Sequence, residues 1–232
     1  MYALAYNKIS RKQIITKEIL LGLRLKNVYF SSSRNDQSHP NIRMNRFLFN
    51  STFWISILIF SLILVPKLQA DQNDSRLDGL FSNLKTAVSL QKALVYEIQI
   101  WKIWMEHQNP KVQNSMTNGI EAMQQQNFEK ALDHFTLLIQ MEPEFAEGWN
   151  KRATVLYLMG RFQESETDVL RTLELEPRHF GALSGQGLIR MALENWSGAV
   201  QSLEAGLRIH PHMPGTIRNL KYSRQKYKES MT

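Results

Sequence analysis

Apolar residues recur at three- and four-residue intervals through most of the chain beyond residue 76, the spacing that lines one face of a helix. Leu77, Leu80, Phe81 and Leu84 form one set, and Leu90, Leu94, Ile98, Trp101 and Met105 a longer one. Together they predict a helical hairpin ended by Asn109-Pro110. Further along, Trp149, Ala153 and Leu156 share a face of a helix expected over 146–159, Gly160 stops it, and 162–175 returns beside it. The same pattern pairs 115–125 with 128–141 and 180–193 with 196–209. A last helix over 214–227 is expected to turn Ile217 and Leu220 toward the others.

The paired helices repeat. Pro143, Pro177 and Pro211 stand 34 residues apart, and on that period Gly119, Ala153 and Gly187 fall in one register. Phe128, Phe162 and Trp196 share a second, Ala131, Ser165 and Ala199 a third, with Phe135/Val169/Leu203 and Leu138/Thr172/Gly206 following. Small residues let two helices approach, the aromatic at the start of each second helix fills the gap between units, and the proline ends the unit. The stretch AEGWNKRATVLYLMGRFQESETDVLRTLELEP resembles a tetratricopeptide repeat, with Trp149, Ala153, Gly160, Phe162 and Pro177 at family positions. Its neighbours are weaker copies: Ser115 and Leu183 replace the tryptophan, and Gln126 and Glu194 the turn glycine.

The resemblance implies an all-α helix-turn-helix solenoid with three clear repeats over 111–213. Residues 71–110 form a preceding hairpin, a candidate degenerate repeat packed on repeat one, and 214–232 a capping helix with a basic tail. It also implies a concave surface built by the first helix of each unit, carrying Met116, Ile120, Met123, Asn150, Thr154, Tyr157, Leu188 and Met191. Such a groove suits a protein or peptide ligand, extended or helical, with methionines as adaptable contacts. The lysine and asparagine positions with which chaperone-binding family members clamp a terminal carboxylate are not matched, since Met116 and Ile120 occupy the first of them.

The leader differs in kind. Residues 47–65 carry no charge over 19 positions and run through WISILIFSLILV, long enough to span a bilayer at about 1.5 Å per residue. Arg43 and Arg46 precede the run and only Lys67 follows closely, a bias that sends the following chain across the membrane. Pro66 breaks the apolar run and Leu68-Gln69-Ala70 then resembles a signal-peptidase site, so 44–70 reads as a signal peptide or, uncleaved, an anchor. Met44 is then a second candidate start. Residues 1–43 are basic and serine-bearing; they read as untranslated or unstructured sequence, or alternatively as a transit peptide. The expected location is the cell envelope, periplasmic or anchored facing the periplasm, with a mitochondrial or plastid inner membrane as the alternative. A signal followed by these repeats is similar to small bacterial envelope proteins of the tetratricopeptide class.

Charge sharpens this division. The net charge of +7 arises in residues 1–70, where ten Lys and Arg face only Glu18 and Asp36, while 71–232 is close to neutral. The repeats therefore lack the concentrated basic surface that nucleic-acid binding needs. Beyond Pro211 the chain turns basic again, as a solvated cap or a contact for an anionic lipid or an acidic partner.

No cysteine is present, which removes disulfides, thiol catalysis and cysteine-bound zinc. There is no glycine-rich phosphate loop, paired-histidine protease helix or nucleophile elbow. His210 and His212 bracket Pro211, the remote basis for a metal carrier or enzyme, but no third ligand accompanies them. His134 and His179 read as surface or turn residues, Glu164, Glu166 and Asp168 as a solvated face, and Trp101 and Trp104 as core. The expectation is a non-catalytic scaffold or adaptor without cofactor or metal, touching membrane only through 44–70 if that segment is uncleaved.

Overall fold

The computed structural model describes residues 71–232; the expectations for 1–43 and 44–70 lie outside them. The described residues form nine helices and no strand. They are α1 (Arg76–Lys85), α2 (Leu90–Met105), α3 (Pro110–Gln124), α4 (Phe128–Met141), α5 (Ala146–Leu158), α6 (Phe162–Leu175), α7 (Phe180–Ala192), α8 (Trp196–Ile209) and α9 (Pro214–Glu229). Pairs α3/α4, α5/α6 and α7/α8 are the three repeats, and α9 packs on α8 as a cap.

Local chemistry fixes the starts. The Asn127 and Asn195 side chains accept from the backbone N–H groups of Lys130 and Gly198, and Ser89 does so from Lys92, satisfying donors that a helix leaves free. Asn109-Pro110, expected to end the hairpin, instead opens α3: Asn109 caps the Lys111 N–H, and Pro110 sits where a missing N–H costs nothing. The helix accordingly starts five residues before the expected Ser115.

The columns read from the period are the contacts inside each unit. A Cβ on Gly119 would lie 2.5 Å from the Phe135 ring, and one on Gly187 2.5 Å from Leu203, so the small residue is set by the large one across the pair. Ser165, the polar member of its column, is buried and donates to the Ala153 carbonyl at 2.7 Å. Repeat one has its own core around Met116, Met123, Phe135, Leu138 and Phe145. The three turns within the repeats share a left-handed residue: Gln126 at φ 59, Gly160 at 79 and Glu194 at 57.

The α1–α2 hairpin does not extend the array as a further repeat on repeat one. Its core of Leu77, Phe81, Leu84, Ile100 and Trp104 closes on Phe180, the first residue of α7, with Ile209 and Met213 at its margin. The 34-residue period tells where a repeat would stack but does not register a hairpin that folds sideways across the loops of repeats two and three. In α9, Leu220 is buried as expected, whereas Ile217 faces water at 48% exposure.

Candidate protein-binding groove

The structure divides the eight groove residues expected on the first helices α3, α5 and α7 into three groups. Met116 and Met123 are corrected: both are buried in the core of repeat one, against the α4 side chains and Phe145, and offer no surface. Asn150 is also buried, and its amide donates to Glu147 Oε2 at 2.9 Å; Thr154 donates to the Asn150 carbonyl. Ile120, Tyr157, Leu188 and Met191 keep partly exposed side chains.

Between α5 and α7 lies a narrow pocket walled by Asn150, Thr154, Tyr157 and Leu188. Gly181 and Gly185 line its α7 side. Ile120 and Met191 are outside this pocket. Tyr157 packs at a tilt against Phe162 at 5.5 Å, and burial raises its hydroxyl above the ordinary range, so it serves as a neutral donor beside an apolar wall. At one end the pocket meets the hairpin: the Trp101 ring comes within 2.6 Å of where a Gly181 Cβ would stand.

Beneath Trp101 and Trp104 lies a charged cluster that sequence reasoning missed. Glu147 and Lys151, one turn apart on α5, are both buried, with Lys151 Nζ 2.7 Å from Glu147 Oε1. His179, expected as a surface or turn residue, is fully buried: its Nε2 lies 2.9 Å from Glu147 Oε2, and Trp104 stacks on its ring at 4.1 Å. Its Nδ1 accepts from the Ala182 N–H and caps α7, so Nε2 carries the proton and donates to Glu147. Burial alone would push the Glu147 carboxyl up, but Lys151 and His179 outweigh it and hold it down at about 2. Lys151 also sits 5.2 Å from the Trp101 ring centre. From sequence, Glu147 and Lys151 look like any exposed pair one turn apart; only the hairpin, from some fifty residues upstream, seals them from water.

His210 and His212 hold the same hairpin. His210 Nε2 lies 3.2 Å from Glu97 Oε2, and His212 Nε2 donates to the Ala87 carbonyl at 2.8 Å. Arg178 bridges Asp78 of α1 at 2.6 Å and Glu176 at 3.0 Å, and lies over Phe81. Asp168 is buried rather than solvated, gripped by Arg152 through two bonds of 2.7 and 2.8 Å, and Glu166 pairs with Arg190. Among the described residues no group of three or more His, Asp or Glu side chains is placed to hold a metal ion.

The family model described as "Tetratricopeptide repeat" matches residues 116–174 and 151–214. A TPR repeat-containing protein of Rhizobium etli is 35% identical over 136 residues, covering 59% of this chain and 67% of that protein. Among solved structures, the Sgt2 TPR domain from Aspergillus fumigatus superposes with a TM-score of 0.51 at 22% identity, covering 53% of this chain and 82% of that one. The first TPR of Spaghetti (RPAP3), solved with an HSP90 peptide, gives 0.51 at 21% identity, covering 51% and 94%. At these identities the two structures share the fold with this chain.

Proposed function

The chain belongs to the tetratricopeptide-repeat family, a class of protein–protein interaction modules, and from that premise we propose that it is a non-catalytic adaptor of the cell envelope. The observation that carries the binding role is the pocket between α5 and α7, whose Tyr157 and Leu188 present apolar surface beside the Asn150 and Thr154 polar wall. A ligand there is a peptide or helix offering one apolar anchor and a backbone group for hydrogen bonding. The HSP90 peptide of the Spaghetti domain is a poor model for it, because the positions where the family clamps a terminal carboxylate hold Ile120 and the buried Met116.

The test changes Tyr157 and Leu188 together to alanine and leaves Asn150 alone, since its amide is engaged with Glu147. Proteins recovered from envelope extracts by the native chain should be lost by at least ~10-fold with the double variant, as expected for removing two anchors. Unchanged recovery with unchanged unfolding temperature sinks the groove reading.

The envelope location is supported by the basic start, apolar run and Ala70 ending of residues 44–70. An organelle inner membrane reached by a transit peptide in 1–43 is the alternative. N-terminal sequencing of the native protein separates them: a start at Asp71 marks a cleaved signal, one near Met44 an anchor, and a cut upstream of Arg43 a transit peptide.

A further inference from the structure

Helix α2 is apolar on two sides. Ala93, Ile100, Ile103 and Trp104 face the hairpin core, while Leu90, Leu94 and Ile98, four residues apart, form a second stripe with Val95 beside it. These four side chains are 37 to 54% exposed, and Val88 in the preceding turn is 79% exposed. A second apolar stripe on a helix is normally covered as the first one is.

The fully exposed charges of α2 itself are lysines, while Asp78 on α1 and Glu106 beyond the helix end also stay at the surface. Lys85, Lys92 and Lys102 are exposed along it, Lys102 with only a 3.8 Å contact to Glu106 at the helix end. The carboxylate within the helix, Glu97, is turned inward, accepting from Trp101 Nε1 at 3.2 Å and pairing with His210. Two copies meeting antiparallel through this stripe would set Lys92 against Lys102, which disfavours a self-pair. Apolar side chains flanked by Lys92 and Lys102 suit the boundary of an anionic bilayer. The position along the chain agrees: the uncharged run ends at Val65, and the five residues before Asp71 reach about 20 Å at most.

We propose that the outer stripe of α2, Leu90, Leu94, Val95 and Ile98, docks on the surface of an anionic membrane, holding the hairpin flat against the bilayer with the repeats facing away. This rests on the envelope reading above, taken in its uncleaved, anchored form. Lipid contact is mediated by the stripe and its lysines, separately from any spanning segment.

Because the chain contains no cysteine, a fluorophore can be placed at one site by Ile98→Cys, with Gln201→Cys on the exposed side of α8 as the reference. The full chain is reconstituted into vesicles of phosphatidylcholine with a quarter phosphatidylglycerol. Aqueous iodide should quench the probe at position 98 at least ~3-fold less than at 201, and lipid-borne nitroxide should quench only the former. Equal iodide quenching at both sites overturns the proposal. Protection from iodide without nitroxide quenching also overturns it, by showing that protein covers the stripe. Alkaline carbonate reports the anchor independently: a resistant chain with an iodide-accessible position 98 refutes the stripe alone. An extractable chain with a nitroxide-quenched position 98 refutes the anchor alone.

Discussion

Lys151 carries its ammonium into a space where its polar neighbour is the Glu147 carboxylate and an indole closes the other side. Replacing Glu147 by glutamine leaves that cation without a counter-charge, and the expected cost at pH 7 is about 3–5 kcal/mol by urea unfolding. The pH dependence has a definite sign. Glu147 is depressed from 4.5 to about 2 on folding, so its contribution is complete above pH 4.5 and is lost as pH falls toward 2. The gap between the native chain and Glu147→Gln should therefore narrow across that interval, and a gap independent of pH would show that the carboxylate is not charged in the fold. His179 is tested differently. His179→Asn retains a capping acceptor but loses the ring beneath Trp104, so α7 should persist while the tryptophan emission shifts toward that of solvated indole.

Among the elements, the inner turns of the repeats show how far local sequence reaches. Gln126 and Glu194 hold the left-handed backbone that Gly160 adopts freely, a strain of about 1–2 kcal/mol for a residue with a Cβ. Gln126→Gly or Glu194→Gly should each stabilise by about 1 kcal/mol after the glycine's own entropy cost, read as a higher unfolding midpoint. The second helices 128–141, 162–175 and 196–209 were legible to the residue because an aromatic opens each one and a proline follows its end at a fixed interval. The start of α3 was not, since Asn109-Pro110 has the chemistry of a helix start as well as that of an ending. The exposure of the expected groove residues was legible only in part. Tyr157 and Leu188 follow from the family register, but Met116 and Met123 lie in a repeat whose tryptophan position holds Ser115, and the methionines fill the core there.

Across the whole molecule, a simple solenoid has contacts only between neighbours, and this one departs from that rule. The hairpin joins α7 and α8 through Phe180, His210 and Arg178 while remaining attached in sequence to repeat one. Trp104→Ala should cost about 3–5 kcal/mol and loosen residues distant in sequence together. Hydrogen exchange should quicken in 76–105 and at 178–183, with α3 and α4 retaining their protection; quickening confined to the hairpin would show that the two bodies are not coupled. No periodicity analysis could reveal this, because the coupling joins segments about a hundred residues apart.

Gln72 adds a mechanical consequence. Its side chain donates to the Glu144 carbonyl and accepts from the Ala146 N–H, so the incoming chain is pinned at the junction of repeats one and two. A pull exerted through the leader would load the middle of the array across these two bonds together, instead of peeling helices from one end. The molecule is thus reinforced at the point where tension enters, at the start of α5.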